Sequence, residues 1–170
     1  MSLIRKRNLK IWTVPVLLAL VLAAAALFTR TTRATPSSGV SAEPITSGQL
    51  TEPIGAKFKE VHSGFGDGTD VSNIVMARFT VEPGGEFGWH QHDGPVWVVI
   101  ASGALTFYDG DDASCAGEVV GAGSAVLDPG DGTHTARNEG DEPVVIYGTF
   151  MLPEGGEPRL DVSAPGACDF

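Results

Sequence analysis

His90 and His92 stand two apart in the segment Phe87–Asp93, and a third histidine, His134, follows roughly 40 residues later. On an extended chain, side chains two apart point to the same face. The first pair therefore offers two imidazoles side by side, half of a metal site. His134 lies between the turn Pro129-Gly130 and the run Thr135–Arg137, as on a strand returning to the same end of a β-structure. Imidazole nitrogen suits zinc, iron, nickel, copper or manganese, and three such ligands leave positions open for water or a substrate. His-x-His alone is equally the pattern of a surface or loop pair, so its weight depends on the elements that carry it.

Those elements read as strands. Short apolar runs follow one another from the middle of the chain onward: Phe58–Val61, Val71–Val81, Val96–Ile100, Ala104–Tyr108, Glu118–Val120, Ala125–Leu127 and Val144–Met151. Val75, Ala77, Phe79 and Val81 alternate with Ile74, Met76, Arg78 and Thr80, the two-residue period of a strand with one buried face. Pro83-Gly84, Asp109-Gly110, Pro129-Gly130 and Pro153-Glu154 punctuate the runs with turns. After residue 50 no stretch has sustained helical spacing with caps. An all-β sandwich, jelly roll or barrel is expected.

Within this pattern, the stretch GGEFGWHQHDGPVWVVIASG resembles the first motif of the cupin family, in which Gly, His-x-His, Glu and Gly follow at set spacings; Gly84, His90, His92 and Gly103 occupy them. The second cupin motif is matched by Gly123, Pro129, His134 and Asn138 in GSAVLDPGDGTHTARN. The resemblance covers about residues 55–152. It implies a single double-stranded β-helix, or jelly-roll barrel, with His90, His92 and His134 as ligands of a divalent metal. Two positions depart from the family pattern. Asp131 stands where a Gly is usual, between Gly130 and Gly132, and Val96 stands where many cupins carry a metal-binding Glu. Valine cannot ligate, so the implied centre is a neutral three-histidine site, similar to that of the thiol and diketone dioxygenases. Such a site keeps the full +2 charge of its metal and favours an anionic or enolate ligand. The resemblance also allows a homodimer paired through an edge strand.

Two further residues could support the histidines. Glu86, four residues before His90 and in phase with it, could bring a carboxylate, although an acidic residue on so acidic a chain is more often solvated. Asn138 could orient His134 from behind, or bind backbone at the end of its strand. His62 is read as a surface histidine rather than a ligand. Trp89, Trp97, Phe87, Tyr108 and Tyr147 could line a pocket at the barrel mouth, but most are expected in the core. A Gly-rich phosphate loop, a nucleophile elbow and a reactive-cysteine signature are all absent from the sequence. The reaction stays open between metal-dependent chemistry on a small organic substrate, dioxygenase-like or other, and a non-catalytic module that binds or senses a small molecule or metal.

Charge and hydropathy place the domain. Six of the 11 basic residues precede residue 35, leaving five against all 21 acidic ones. A surface that acidic repels nucleic acid and anionic lipid. The basic cluster Arg5–Lys10 precedes the uncharged apolar run Ile11–Phe28, at about 18 residues just long enough to span a bilayer. Residues 1–28 are thus read as a membrane anchor in preference to a cleaved signal peptide, with the domain exported. Residues 29–49, rich in Thr, Ser, Pro and Gly, are read as a flexible linker, and 50–170 as the barrel domain. In an oxidising compartment Cys115 and Cys168 are expected to form one disulfide. Asp111 and Asp112 beside Cys115 would raise a thiol pKa, which again favours a structural role.

Overall fold

The computed structural model describes residues 34–55, 70–130, 132–166, 168 and 170. They form ten strands and, among the described residues, no helix: β1 (Ser38–Gly55), β2 (Asp70–Glu86), β3 (His90–Gln91), β4 (Val96–Ser102), β5 (Ala104–Asp109), β6 (Glu118–Gly121), β7 (Ala125–Asp128), β8 (His134–Arg137), β9 (Val144–Leu152) and β10 (Leu160–Asp161). One sheet joins them in the order β10-β3-β8-β2-β9-β4-β7, with β1 paired to β2, and β5 paired to both β6 and β8. Every pairing is antiparallel. The sheet rolls into a nearly closed barrel, all-β as the short alternating runs require and consistent with the jelly roll that the resemblance implies.

Alternation decides which side chains face inward. In β9, Val144, Ile146, Gly148, Phe150 and Leu152 are buried while Tyr147 between them is exposed. In β4, Val96 and Ile100 are buried, whereas Trp97 and Val99 point to solvent. The inward residues Val81, Ile100, Leu105, Ala136, Val144 and Ile146 form the main core, with Phe79, Phe87, Val98 and Phe107 packed against it. Val96, Phe150 and Leu152 form a second cluster next to it. Trp97 and Tyr147, two of the five aromatic residues weighed between pocket and core, lie on the outer face because they occupy the opposite phase of their strands.

The stretch read as a linker is corrected in its second half. Ser38–Gly55 is a strand that pairs with β2 from Ser38↔Glu86 to Gly55↔Asp70, with register shifts between Ser38 and Val40, Pro44 and Thr46, and Gln49 and Ile54. Its side chains are mostly exposed, and Val40 alone joins the main core. The strand is held by its backbone ladder, which polar and small residues form as well as apolar ones do, so composition does not reveal it. The run Ile11–Phe28, the expected strand Phe58–Val61 and His62 lie outside the described residues. No helix among the described residues is long and apolar enough to cross a membrane.

The expected disulfide is present. Cys115 and Cys168 are bonded, with Cα atoms 5.4 Å apart across 53 residues of chain. Asp112 shapes the loop that presents Cys115: its carboxylate accepts hydrogen bonds from the Ser114 and Ala116 backbone N–H groups, both at 2.9 Å. Cys168 packs with Trp89 and Tyr108. The C-terminal Phe170 stacks on Trp89 with ring centroids 6.1 Å apart, and lies under the Arg137 guanidinium at 4.1 Å.

Candidate metal centre

The barrel brings the three histidines together. His90 on β3 and His134 on β8 are direct cross-strand partners, so strand pairing alone sets their imidazoles 4.3 Å apart between centroids. His92 follows β3 directly, and its backbone N–H donates to the Gly130 carbonyl at 2.8 Å, which ties it to the turn preceding His134. The centroids of His90 and His92 are 4.8 Å apart, those of His92 and His134 5.0 Å. One nitrogen from each ring falls within 4.8 Å of the others.

Each ring is oriented by a backbone carbonyl. His90 Nδ1 meets Gly88 O at 2.8 Å, His92 Nδ1 meets Pro158 O at 2.6 Å, and His134 Nδ1 meets Gly132 O at 2.9 Å. A carbonyl only accepts, so each Nδ1 carries a proton; Nε2 of His90 and of His92 is left to act as a lone-pair donor, whereas Nε2 of His134 donates to Asp128 Oδ2 and gives up that proton when it ligates. That is the arrangement in which a ligating histidine gives its second N–H to a backbone carbonyl. Gly88 can serve His90 because it has no side chain: its φ is +69°, and a Cβ there would collide with the Thr35 carbonyl oxygen.

The electrostatics suit a cation. Burial, reinforced by neighbouring His134 and His92, pushes the His90 pKa down to about 2. Burial likewise brings His92 down to about 4, against the opposing pull of Asp128. Both rings are therefore neutral near pH 7, the form that binds metal. Burial also opposes protonation of His134, but the hydrogen bond and negative charge of Asp128 outweigh it and raise its pKa above the ordinary imidazole value. Asp128 itself is held below the usual carboxylate range: burial works against this, and His134, His92 and the Gly130 N–H overcome it.

Asp128 is the functional residue that sequence reasoning missed. Its Oδ2 lies 2.8 Å from His134 Nε2 and 3.7 Å from His92 Nε2. It contacts the very nitrogens that Nδ1 pairing leaves available. Its place directly before Pro129 of the second motif, two residues after the inward Val126, was the available signal. Pro158 and Arg159 were missed as well. They belong to a C-terminal strap that crosses the site, where β10 pairs with β3 and Arg159 Nη2 donates to the Phe87 carbonyl at 2.6 Å.

The two residues that could have supported the histidines make their contacts elsewhere. Glu86 faces Arg137, with Oε2 3.6 Å from Nε. Asn138 is buried and engaged with backbone: its Nδ2 donates to Val81 O at 2.9 Å and Glu142 O at 2.8 Å, while Oδ1 accepts from Gly140 N at 3.0 Å. This is the strand-end role, the second of the two readings of Asn138. The hydrogen bonds that orient the imidazoles come from main chain instead.

The histidines open into a cavity of about 580 Å³, large enough for a small organic molecule. Its wall is largely apolar: Phe79, Phe87, Phe107 and Phe150 with Val75, Val96, Val98 and Ile146, besides Tyr108 and Arg159. Of the aromatic residues considered for a pocket, Phe87 and Tyr108 line it, whereas Trp89 is core.

Residues 77–151 match the family described as Cupin domain. No curated protein sequence matches the chain. Among solved structures it is similar to a cupin-like protein of Thermotoga maritima, at 19% identity over 54% of this chain and 65% of that one, with a TM-score of 0.48. It is also similar to a polyketide cyclase of Streptomyces resistomycificus, at 20% identity over 52% and 60% of the two chains, with a TM-score of 0.45. An oxalate decarboxylase of Bacillus subtilis is 29% identical over 53% of this chain and 23% of its own length, with a TM-score of 0.44. The chain thus spans less than two thirds of each of these three proteins. Residues 77–151, which carry both histidine motifs in order and bring them to one end of a jelly-roll barrel, thus match the cupin family.

Proposed function

We propose that this protein binds one divalent transition metal on His90, His92 and His134, and presents it to a small, largely apolar organic molecule held in the barrel. The observation that carries the reading is the convergence of the three rings, each with Nδ1 on a backbone carbonyl and one nitrogen of each within 4.8 Å of the others. Three imidazoles are a donor set for iron, zinc, nickel or manganese. A metal so held supplies a Lewis-acidic centre with positions open to water or substrate. The chain's part is to hold His90 and His92 neutral and all three rings fixed, and to exclude bulk water with the ring of phenylalanines around the cavity.

We read the domain as extracytoplasmic. The Cys115–Cys168 disulfide and the basic-then-apolar N-terminus support that placement. Turnover by dioxygenase-like or other metal-dependent chemistry is the form of the proposal to test first.

The test is elemental analysis of the full-length chain, purified without a histidine tag, beside the His90→Ala/His92→Ala/His134→Ala variant. Near-stoichiometric metal in the parent, lost in the variant, is the expected result. Iron would direct substrate screening to oxygenation, and zinc, nickel or manganese to hydrolysis or isomerisation. Metal absent from both proteins after reloading overturns the proposal. Saturable uptake of a small molecule without its consumption would make the barrel a binding module.

A further inference from the structure

The family pattern places a carboxylate at position 96, where this chain has valine. Strand pairing shows what faces that position. Val96 on β4 is the direct cross-strand partner of Asp128, the last residue of β7. The two sit side by side on the same inward surface, and both line the cavity. A carboxylate that left β4 therefore has a replacement one strand away, about 5 Å in Cα separation for an antiparallel pair. Its side chain is directed at the site and not at solvent: Oδ2 is 2.8 Å from His134 Nε2 and 3.7 Å from His92 Nε2, with the Asp128 side chain only 15% exposed.

A turn aims it. Asp128 Oδ1 accepts the Gly130 N–H at 2.7 Å, which leaves Oδ2 pointing at the imidazoles. Gly130, at φ +110°, also presents the carbonyl that receives the His92 N–H. One turn thus fixes a histidine ligand and a carboxylate oxygen in a single geometry. A buried carboxylate with one oxygen bonded to backbone and the other at two ligand nitrogens is oriented as carboxylates in metal centres are.

We propose, resting on the three-histidine reading above, that Asp128 is a fourth metal ligand, so that the centre is three-histidine-one-aspartate in place of a neutral three-histidine site. The carboxylate moves from the first motif to the second, and from β4 to β7. With it the charge of the metal and its protein ligands falls from +2 to +1, which weakens the site's preference for anionic ligands relative to a neutral triad. The valine left at 96 adds to the apolar wall where a glutamate would otherwise stand.

Cobalt(II) serves as the probe, because its visible spectrum reports the number and type of ligands. The full-length chain, Asp128→Ala, Asp128→Asn and His134→Ala are each titrated with cobalt(II) to saturation, and folding is checked by circular dichroism. Expected are a defined spectrum for the parent and, in Asp128→Ala, an altered spectrum with cobalt affinity lowered at least about 10-fold. Added acetate should restore the parent spectrum in Asp128→Ala by filling the vacated position. Failure of folded Asp128→Ala and Asp128→Asn to hold cobalt at all supports the proposal equally. A spectrum in Asp128→Ala that matches the parent and ignores acetate overturns it, and leaves the three-histidine site standing. If the parent itself takes up no cobalt, or His134→Ala takes it up unchanged, the underlying metal reading fails with it.

Discussion

Replacing both cysteines, Cys115→Ser with Cys168→Ser, isolates what the disulfide contributes. The bond closes a loop across 53 residues. In the chain-entropy account a loop of that size removes about 14 cal/mol/K from the unfolded ensemble, or about 4 kcal/mol at 25 °C. For a domain of this size each kcal/mol moves the melting temperature by about 4 °C, so the double variant should melt roughly 15 °C lower. The native site should change little. The strap that carries Pro158 and Arg159 is held by its own hydrogen bonds: Val162 N to Trp89 O at 3.0 Å, Thr35 N to Val162 O at 3.1 Å, and the β10–β3 pairing. Metal affinity measured well below the melting temperature should therefore stay within about threefold of the parent, since the residues that orient the imidazoles keep their partners. The assay is calorimetry of the metal-free proteins, followed by competitive metal titration. A melting temperature within a few degrees of the parent would refute the entropic reasoning. A collapse of metal affinity at full fold would refute the claim that the strap holds without its clasp.

Three further outcomes follow from the same contacts. Gly88→Ala should destabilise by about 2 kcal/mol or more, from the positive φ together with the collision with Thr35, and should weaken metal binding because Gly88 O orients His90; thermal melts and metal titration on one preparation check both. Asn138→Ala should cost about 2–3 kcal/mol, by leaving the carbonyls of Val81 and Glu142 without their buried donor, yet keep metal affinity, since none of its hydrogen bonds reaches a histidine. A large affinity loss in Asn138→Ala at intact stability would restore the orienting role to that residue. Removing the metal with a chelator should lower the stability by the linkage amount, about 2.7 kcal/mol when free metal had stood at 100 times its dissociation constant, and the melting temperature with it. The His134→Ala protein should show no such response.

Much of the site is legible in the sequence. Two histidines in phase on an extended segment and a third after a Pro-Gly turn are local patterns; strand alternation puts His90 and His92 on one face, and the pairing of β3 with β8 brings His134 to them. The inward face of β2, the bounds of β4, β5, β7 and β9, and the cysteine pair are legible for the same reason: each depends on periodicity or composition within a few residues, or on compartment. Asp128 is not, because its role depends on which strand pairs with β4. Nothing in the spacing of Val96 and Asp128 announces that they become neighbours.

The same limit explains β1 and the strap. β1 has almost no buried apolar face, and exists because β2 offers an edge for its backbone to pair with. Pro158 holds His92 through a carbonyl, a group that every residue carries and no sequence pattern marks. Side-chain chemistry and local periodicity thus determined which residues could bind a metal and in which kind of fold. Long-range strand pairing decided how the ligands are oriented, which carboxylate stands beside them and what closes the site, because main-chain partners and cross-strand neighbours come into being only when the barrel forms.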